Sequence, residues 1–349
     1  VLDLLIVGGG PAGLATAIHA VRAGLDVAVA EPRPTPVDKA CGEGLMPGAV
    51  RALDALGVTP KGHVLHGIRY LDAAGGSGQG GNGAEAAFRH GNGLGVRRTV
   101  LHEALALRAA ELGVPVRPFR VDPRSVRQDG EKVTAGGVAA RYLVAADGLH
   151  SPLRRSLGLD LPDPRPSRYG LRRHFAVPPW TDHVEVHWSA RAEAYVTPLG
   201  PELLGVAVLT GDRAPFDEQL ARFPALCARL AEQASHAATA VRGAGPLRQR
   251  VRARVAGRIL LVGDAAGYVD ALTGEGVSLA LTGAAHLVRC VREDRPAAYE
   301  RAWSRASRRH RLLTHTLVRA RAHPALARRI VPTAARLPAV FTLLVNGLA

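Results

Sequence analysis

The chain has 349 residues, 47% of them hydrophobic, with a formal net charge of +15 and three cysteines. That apolar content supports a large buried core and excludes both a disordered tail and a small disulfide-stapled module. Cys41, Cys227 and Cys290 are odd in number and far apart, which argues for a reducing, cytoplasmic setting; the positive charge is nearly all arginine, spread through every segment without a reading motif beside it, so no nucleic acid is expected as a partner.

The chain opens directly on a strand pattern, with no charged leader ahead of an apolar core, so no signal peptide is expected. Residues 2–7, LDLLIV, read as a short buried strand, 14–24 as a helix stopped by Gly24, and 25–31 as a second strand. That is β–turn–α–β in about thirty residues, the start of a parallel sheet. Residues 32–47 read as loop and 47–57 as a short helix. GIRYLDA and AEAAFRH read as strands around a glycine-rich tip, AGGSGQGGNG, expected to be mobile. Residues 97–113 have helical periodicity, and 141–148, RYLVAADG, form a buried strand entering a loop. Residues 165–241 alternate instead, as strands of an open antiparallel sheet followed by a helix. GRILLVGDAAG returns to the parallel style, a long helix follows, and the rest is helical and basic with breaks expected near Pro324 and Pro332.

The predicted fold class is therefore α/β. A discontinuous Rossmann-like domain (1–62, 97–162, 247–290) carries an inserted, mainly antiparallel sheet domain (63–96, 163–246) and C-terminal helices (291–349). Gly8, Gly10 and Gly13 form G-x-G-x-x-G between a strand and a helix, with Pro11 and Ala12 inside the turn. The first glycine permits the tight turn, the second lets a pyrophosphate approach, and the third lets helix and strand pack closely. The helix end adds free N–H groups and a positive dipole end. Glu31, followed by Pro32 and Arg33, ends the second strand, where an acid suits a ribose diol. Asp147-Gly148 and Gly263-Asp264 then follow buried strands, and Gly274-Glu275-Gly276 with Val277 opens a helix. No metal site is read.

In this order the three motifs resemble the FAD-dependent oxidoreductases of the para-hydroxybenzoate hydroxylase-type fold, a superfamily of aromatic monooxygenases, geranylgeranyl reductases and flavin-dependent halogenases. The resemblance covers roughly residues 2–285. It implies that residues 8–13 bind the FAD pyrophosphate, Glu31 the adenosine ribose, and Asp264 the flavin-side ribose or pyrophosphate. Asp147 would support FAD, and Arg98 would open an FAD-contacting helix. The segment KACGEG resembles the part of geranylgeranyl reductases that passes beside the flavin ring. Gly42 and Gly44 would then allow backbone against the ring face, with Lys39, Cys41 and Glu43 close by. Cys41 reads either as a small buried residue or as a redox group. Glu275 is either an acid beside the flavin or a surface residue complementing the helix dipole.

The chain departs from named branches of the superfamily. Gly267 stands where many hydroxylases have His, Ala271 where Pro usually precedes Gly-Glu-Gly, and AEAYVTPLG gives Tyr195 and Pro198 without the reductases' Trp between them; the halogenases' W-x-W-x-I-P is absent. Tyr169, His174, His187, Trp188 and Tyr195 lie on the expected sheet, with His187 and Trp188 on opposite faces. Catalytic candidates are Glu275, Tyr195 and Cys41. The expected reaction is hydroxylation or epoxidation of a hydrophobic, electron-rich small molecule by an FAD-dependent monooxygenase using O2, with NAD(P)H as a transient co-substrate. The alternatives are a geranylgeranyl reductase-like enzyme saturating an alkene and a flavin-binding redox sensor. The final apolar run, LPAVFTLLVNGLA, is too short to span a bilayer. It docks on the core or lies on a membrane surface with arginines toward anionic headgroups, a location peripheral to the inner membrane.

Overall fold

The computed structural model describes residues 1–73 and 83–347. The expected mobile tip falls almost wholly outside the described residues. Strand β1, Leu2–Val7, is apolar at consecutive positions because both of its faces are covered: Leu4, Leu5 and Ile6 are fully buried. It runs parallel to β2, Val27–Ala30, on one side and to the strand Val138–Ala145 on the other. Helix α1, Pro11–Arg22, supplies the crossover, and Pro11 sits in its first turn, where a missing N–H costs nothing. The strand Ile259–Leu261 extends the parallel set beyond Val138–Ala145. All three motif turns therefore leave the same end of one parallel sheet, where open α/β sheets bind ligands.

The segment expected as loop at 32–47 is partly extended. Gly44–Leu45 pairs antiparallel with Gly93–Gly95, which also pairs with His63–Leu65. Gly95 lets this small sheet approach the strand Ala192–Gly200, because a Cβ there would lie 1.7 Å from the Pro198 carbonyl oxygen. Helices α2, Pro47–Leu56, and α3, Arg98–Glu111, pack beside α1 and its neighbours.

The second large sheet is built from β3, Gly67–Asp72; β4, Ala84–Ala87; then β5, Tyr169–Ala176; β6, His183–Trp188; β7, Ala192–Gly200; and β8, Leu203–Thr210. It is antiparallel except where β6 meets β3. One face, with Ala194, Val196, Val206 and Val208, is covered by the helices Phe216–Leu220 and Pro224–Glu232. The opposite face turns toward the end of the parallel sheet. On β6, Val184, Val186 and Trp188 take that face while Glu185 and His187 bond each other on the other, as strand alternation predicts.

Helix α4, Gly276–Arg292, packs on α1, and α5, Ala298–Ala322, packs on α4. Near its end, Arg321 pairs with the fully buried Glu193 of β7 and so ties the C-terminal helices to the sheet. The chain breaks at Pro324 as expected, but not at Pro332. Pro332 lies in the first turn of α6, Ile330–Arg336, where proline is tolerated; the second break falls between α6 and α7, Pro338–Asn346.

Candidate active site

A cavity of 1190 Å³ opens between the end of the parallel sheet and the inner face of the antiparallel one. Every residue expected at the cofactor lines it except Gly8, Gly13, Glu31, Pro32 and Glu275. Gly8 and Gly13 act one layer below. Gly8 has φ +109°, and a Cβ on Gly13 would sit 1.8 Å from the Gly8 carbonyl oxygen, so strand and helix meet backbone to backbone. Gly10 precedes α1 without a side-chain cap, leaving the first N–H groups of that helix free toward the cavity.

Glu31 lies differently from the expectation. Its carboxylate is buried behind the cavity wall and accepts from the Gly9 N–H at 2.8 Å and from the Arg33 backbone N–H, Nε and Nη2 at 3.0, 2.8 and 2.8 Å. Burial acts to raise its pKa, but the bonds from Arg33 and Gly9 outweigh it and hold the carboxyl below its ordinary range. Arg33, not Glu31, is the side chain presented to the cavity. Pro32 is exposed to solvent outside the cavity.

The loop after β2 is held from both sides. Lys39 Nζ lies 3.1 Å from Asp264 Oδ2, so the 39–44 loop and the third motif segment are bridged by an ion pair. Glu43 is buried with φ 60°. Its Oε1 accepts the Arg98 backbone N–H at 2.8 Å, and its Oε2 lies 2.6 Å from His174 Nε2. Arg172, two residues before His174 on the same face of β5, donates to Asp38 at 2.6 Å. The sequence reading missed Arg172 and placed His174 only on the expected sheet. The signal was present in YGLRRHFA: charged residues at alternate positions of a buried strand need partners. Arg173, facing the other way, pairs with Asp217 at the surface.

At Gly42 a Cβ would meet nothing within 4 Å, so the backbone there borders open cavity. Cys41 lines the same stretch, and burial pushes its thiol above the ordinary range, so it remains protonated at neutral pH. Asp147 accepts from the Leu153 N–H at 3.1 Å, while its Oδ1 is buried without a hydrogen-bond partner among the described residues; burial raises its pKa. Arg154, also unforeseen, is almost fully buried and donates to the Asp264, Ala265 and Leu149 carbonyls at 3.3, 3.2 and 3.0 Å. It locks the second motif loop to the third.

The last motif divides. Gly274, with φ +70°, lines the cavity together with Gly276 and Val277 of α4, whose N-terminus has no side-chain cap. The Glu275 carboxyl is buried off the cavity wall. Burial pushes its pKa to about 8, against weaker help from Ser278 and Arg51, and its Oε1 has no hydrogen-bond partner among the described residues. Glu275 is thus neither a surface acid nor a group facing the cavity. Tyr195 does face it, and its hydroxyl donates to the Leu272 carbonyl at 2.7 Å.

One feature decides what ligand suits this wall. Arg98 is buried at the cavity beside Gly10, and its guanidinium forms no hydrogen bond or ion pair among the described residues, with Nη1 fully enclosed. A desolvated, unpaired cation beside the uncapped N-terminus of α1 calls for an extended anion. The FAD pyrophosphate fits that demand, and a family model described as an FAD binding domain matches residues 1–294. The chain belongs to this family. It is an FAD-dependent oxidoreductase of the para-hydroxybenzoate hydroxylase-type fold. It is 31% identical over 304 residues to the menaquinone reductase of Mycobacterium tuberculosis, covering 80% of this chain and 74% of that one. It is 28% identical over 309 residues to digeranylgeranylglycerophospholipid reductase 1 of Methanopyrus kandleri, covering 80% and 77%. In fold it matches a triple mutant of the flavin-dependent brominase Bmp2 with a TM-score of 0.81 at 18% identity, over 99% of this chain and 94% of that one.

Proposed function

We propose that this FAD-dependent oxidoreductase saturates a carbon–carbon double bond in a long, prenyl-like molecule. The observation that carries this reading is the length and chemistry of the cavity. It does not stop at the flavin-binding wall. It continues beneath the sheet past Met46, Val184, Val186, Leu209 and Leu272, then on between Leu317, Ile330 and Phe341 of the C-terminal helices. A compact aromatic would leave most of that aliphatic passage empty, whereas an extended hydrocarbon chain would fill it. The two relatives named as reductases support the same reading, which places alkene reduction ahead of the hydroxylation expected first from sequence.

When bound and reduced by NAD(P)H, FAD would supply the hydride for such a reduction. The residues that would hold it are the 8–13 turn and Arg98 at the pyrophosphate, the 39–44 loop against the ring, and Asp147 and Asp264 beside them. The N-terminus of α4 offers free N–H groups and a positive dipole end, which stabilise negative charge developing nearby. The apolar walls exclude water from the reacting carbons. Burial raises the Tyr195 phenol well above its ordinary range, so it keeps its proton until a carbanion basic enough to take it forms beside it. NAD(P)H serves as the transient electron source.

The test is to reduce the FAD-loaded protein anaerobically, add a polyprenyl lipid that carries no quinone ring, and follow reoxidation of the flavin and the product mass. The reading expects reoxidation without oxygen and a product heavier by two hydrogens. Reoxidation only on admitting oxygen, with a product heavier by one oxygen atom, would establish the hydroxylase instead.

A further inference from the structure

The mouth of the cavity has a surface of its own. Of the ten exposed large apolar side chains among the described residues, five fall between residues 326 and 344: Leu326, Leu337, Val340, Leu343 and Leu344. All but Leu343 also line the cavity, so they form its outer rim. Exposed apolar residues scattered singly need no explanation, but a contiguous rim around an apolar passage does. Residues 301–349 contain ten arginines and no aspartate or glutamate, which is +10 of the chain's +15. Arg319, Arg328, Arg329 and Arg336, adjacent to the rim in sequence, are all exposed.

Helix α7 is fixed to the protein along one side only. Phe341 and Val345 are buried, and the Phe341 ring centroid lies 4.7 Å from that of Tyr70 on β3. Asn346 donates to the Ala87 carbonyl at 2.9 Å and accepts the Arg89 N–H at 2.6 Å, clamping the helix end to the sheet edge. The outward side chains, led by Leu343 at 62% exposure, are not covered by the described residues. Nine residues are too few to cross a bilayer, and no helix among the described residues is long and apolar enough to do so.

We infer that this face docks on an anionic lipid bilayer, with α7 lying in the interface, the arginines on headgroup phosphates, and the cavity mouth opening into the acyl region. An amphipathic helix with arginine around an apolar face binds anionic interfaces in this way. A second copy of the chain is a poor occupant, because two such faces would bring like charges together with no acidic residue in the segment to pair them. The inference rests on the proposed function for what passes through the mouth, but not for the surface itself.

The FAD-loaded protein is sedimented with vesicles of phosphatidylglycerol and phosphatidylcholine in equal parts, and with vesicles of phosphatidylcholine alone. Binding to the anionic vesicles is expected to be at least about tenfold tighter and to weaken with salt. Arg328→Gln with Arg336→Gln should reduce it by about fivefold per arginine, and Leu343→Glu by at least about tenfold. None of these three residues lines the cavity, so turnover of detergent-dispersed substrate should be unchanged. Equal partition into both vesicles, no binding to either, or a concentration-dependent dimer that Leu343→Glu dissociates would overturn the inference. Vesicle binding as expected without any alkene reduction would leave the surface standing and remove the proposed function.

Discussion

Replacing Arg98 by methionine should move two measurements in opposite directions. The guanidinium is buried with its Nη1 enclosed and unpaired. Burial depresses its pKa below the ordinary arginine value, against weaker attraction from the carboxylates of Asp264 and Asp38. A cation whose folded pKa is depressed disfavours the folded state over the pH range in which it is charged. Methionine keeps much of the apolar stem while removing the unpaired charge, so the FAD-free protein should melt at the same temperature or up to about 2 °C higher. With FAD present the sign reverses. A charge-assisted contact to a pyrophosphate contributes about 1.5–3 kcal/mol, so the FAD dissociation constant should rise roughly 10- to 150-fold. Flavin fluorescence titration reads the second quantity, and thermal melts of the flavin-free protein read the first. An unchanged dissociation constant, or a flavin-free variant that melts several degrees lower, would mean that Arg98 is a structural residue and not an anion site held ready.

Three other outcomes follow from the same geometry. Gly13→Ala places a methyl group 1.8 Å from the Gly8 carbonyl oxygen; the turn must open, and desalted protein should carry no flavin absorbance, whereas a yellow variant would refute the packing argument. Glu275 has a folded pKa of about 8 against an ordinary value of 4.5, so the folded chain holds the proton more tightly. Wild-type stability should therefore fall as pH rises between those values and level off above, at ~1.4 kcal/mol per pH unit at most. Glu275→Gln should melt like wild type at pH 4 and above it at pH 8.5, and parallel melting curves across that range would contradict the burial of a neutral acid. Glu43→Gln weakens the pairing with His174 and loosens the 39–44 loop; a loss of about 1–2 kcal/mol should raise the FAD dissociation constant by about tenfold, and an unchanged constant would show that the loop is held without it.

The legible parts of the site are those whose sequence signal is a local backbone demand. Gly8 and Gly13 are required by one turn and one helix–strand contact, Gly263 by a φ of +63°, and each follows a strand whose unbroken apolar run marks it as doubly covered. The alternation of β5 to β8 likewise marked the second sheet. Pairings across long separations were not legible. Nothing near Glu43 in sequence announces His174, 131 residues away, and nothing near Asp264 announces Lys39 or Arg154. Glu31 was placed on the correct strand but not behind Arg33, because side-chain rotamers decide which member of an ion pair meets the cavity. The C-terminal segment reads as basic and apolar, with docking on the core and lying on a membrane surface both open, and one signal in it went unused. Arginine is common throughout the chain, so what distinguishes residues 301–349 is the absence of acid, which a count of positive charge does not reveal.

The account depends on the cofactor site and the aliphatic passage being one continuous chamber. A titration of the FAD-loaded protein with a long-chain polyprenyl compound, followed in the visible flavin bands, tests this most directly. The account predicts a spectral shift that saturates at one ligand per chain. Binding detected by calorimetry with the flavin spectrum unmoved would place the hydrocarbon somewhere else and contradict it.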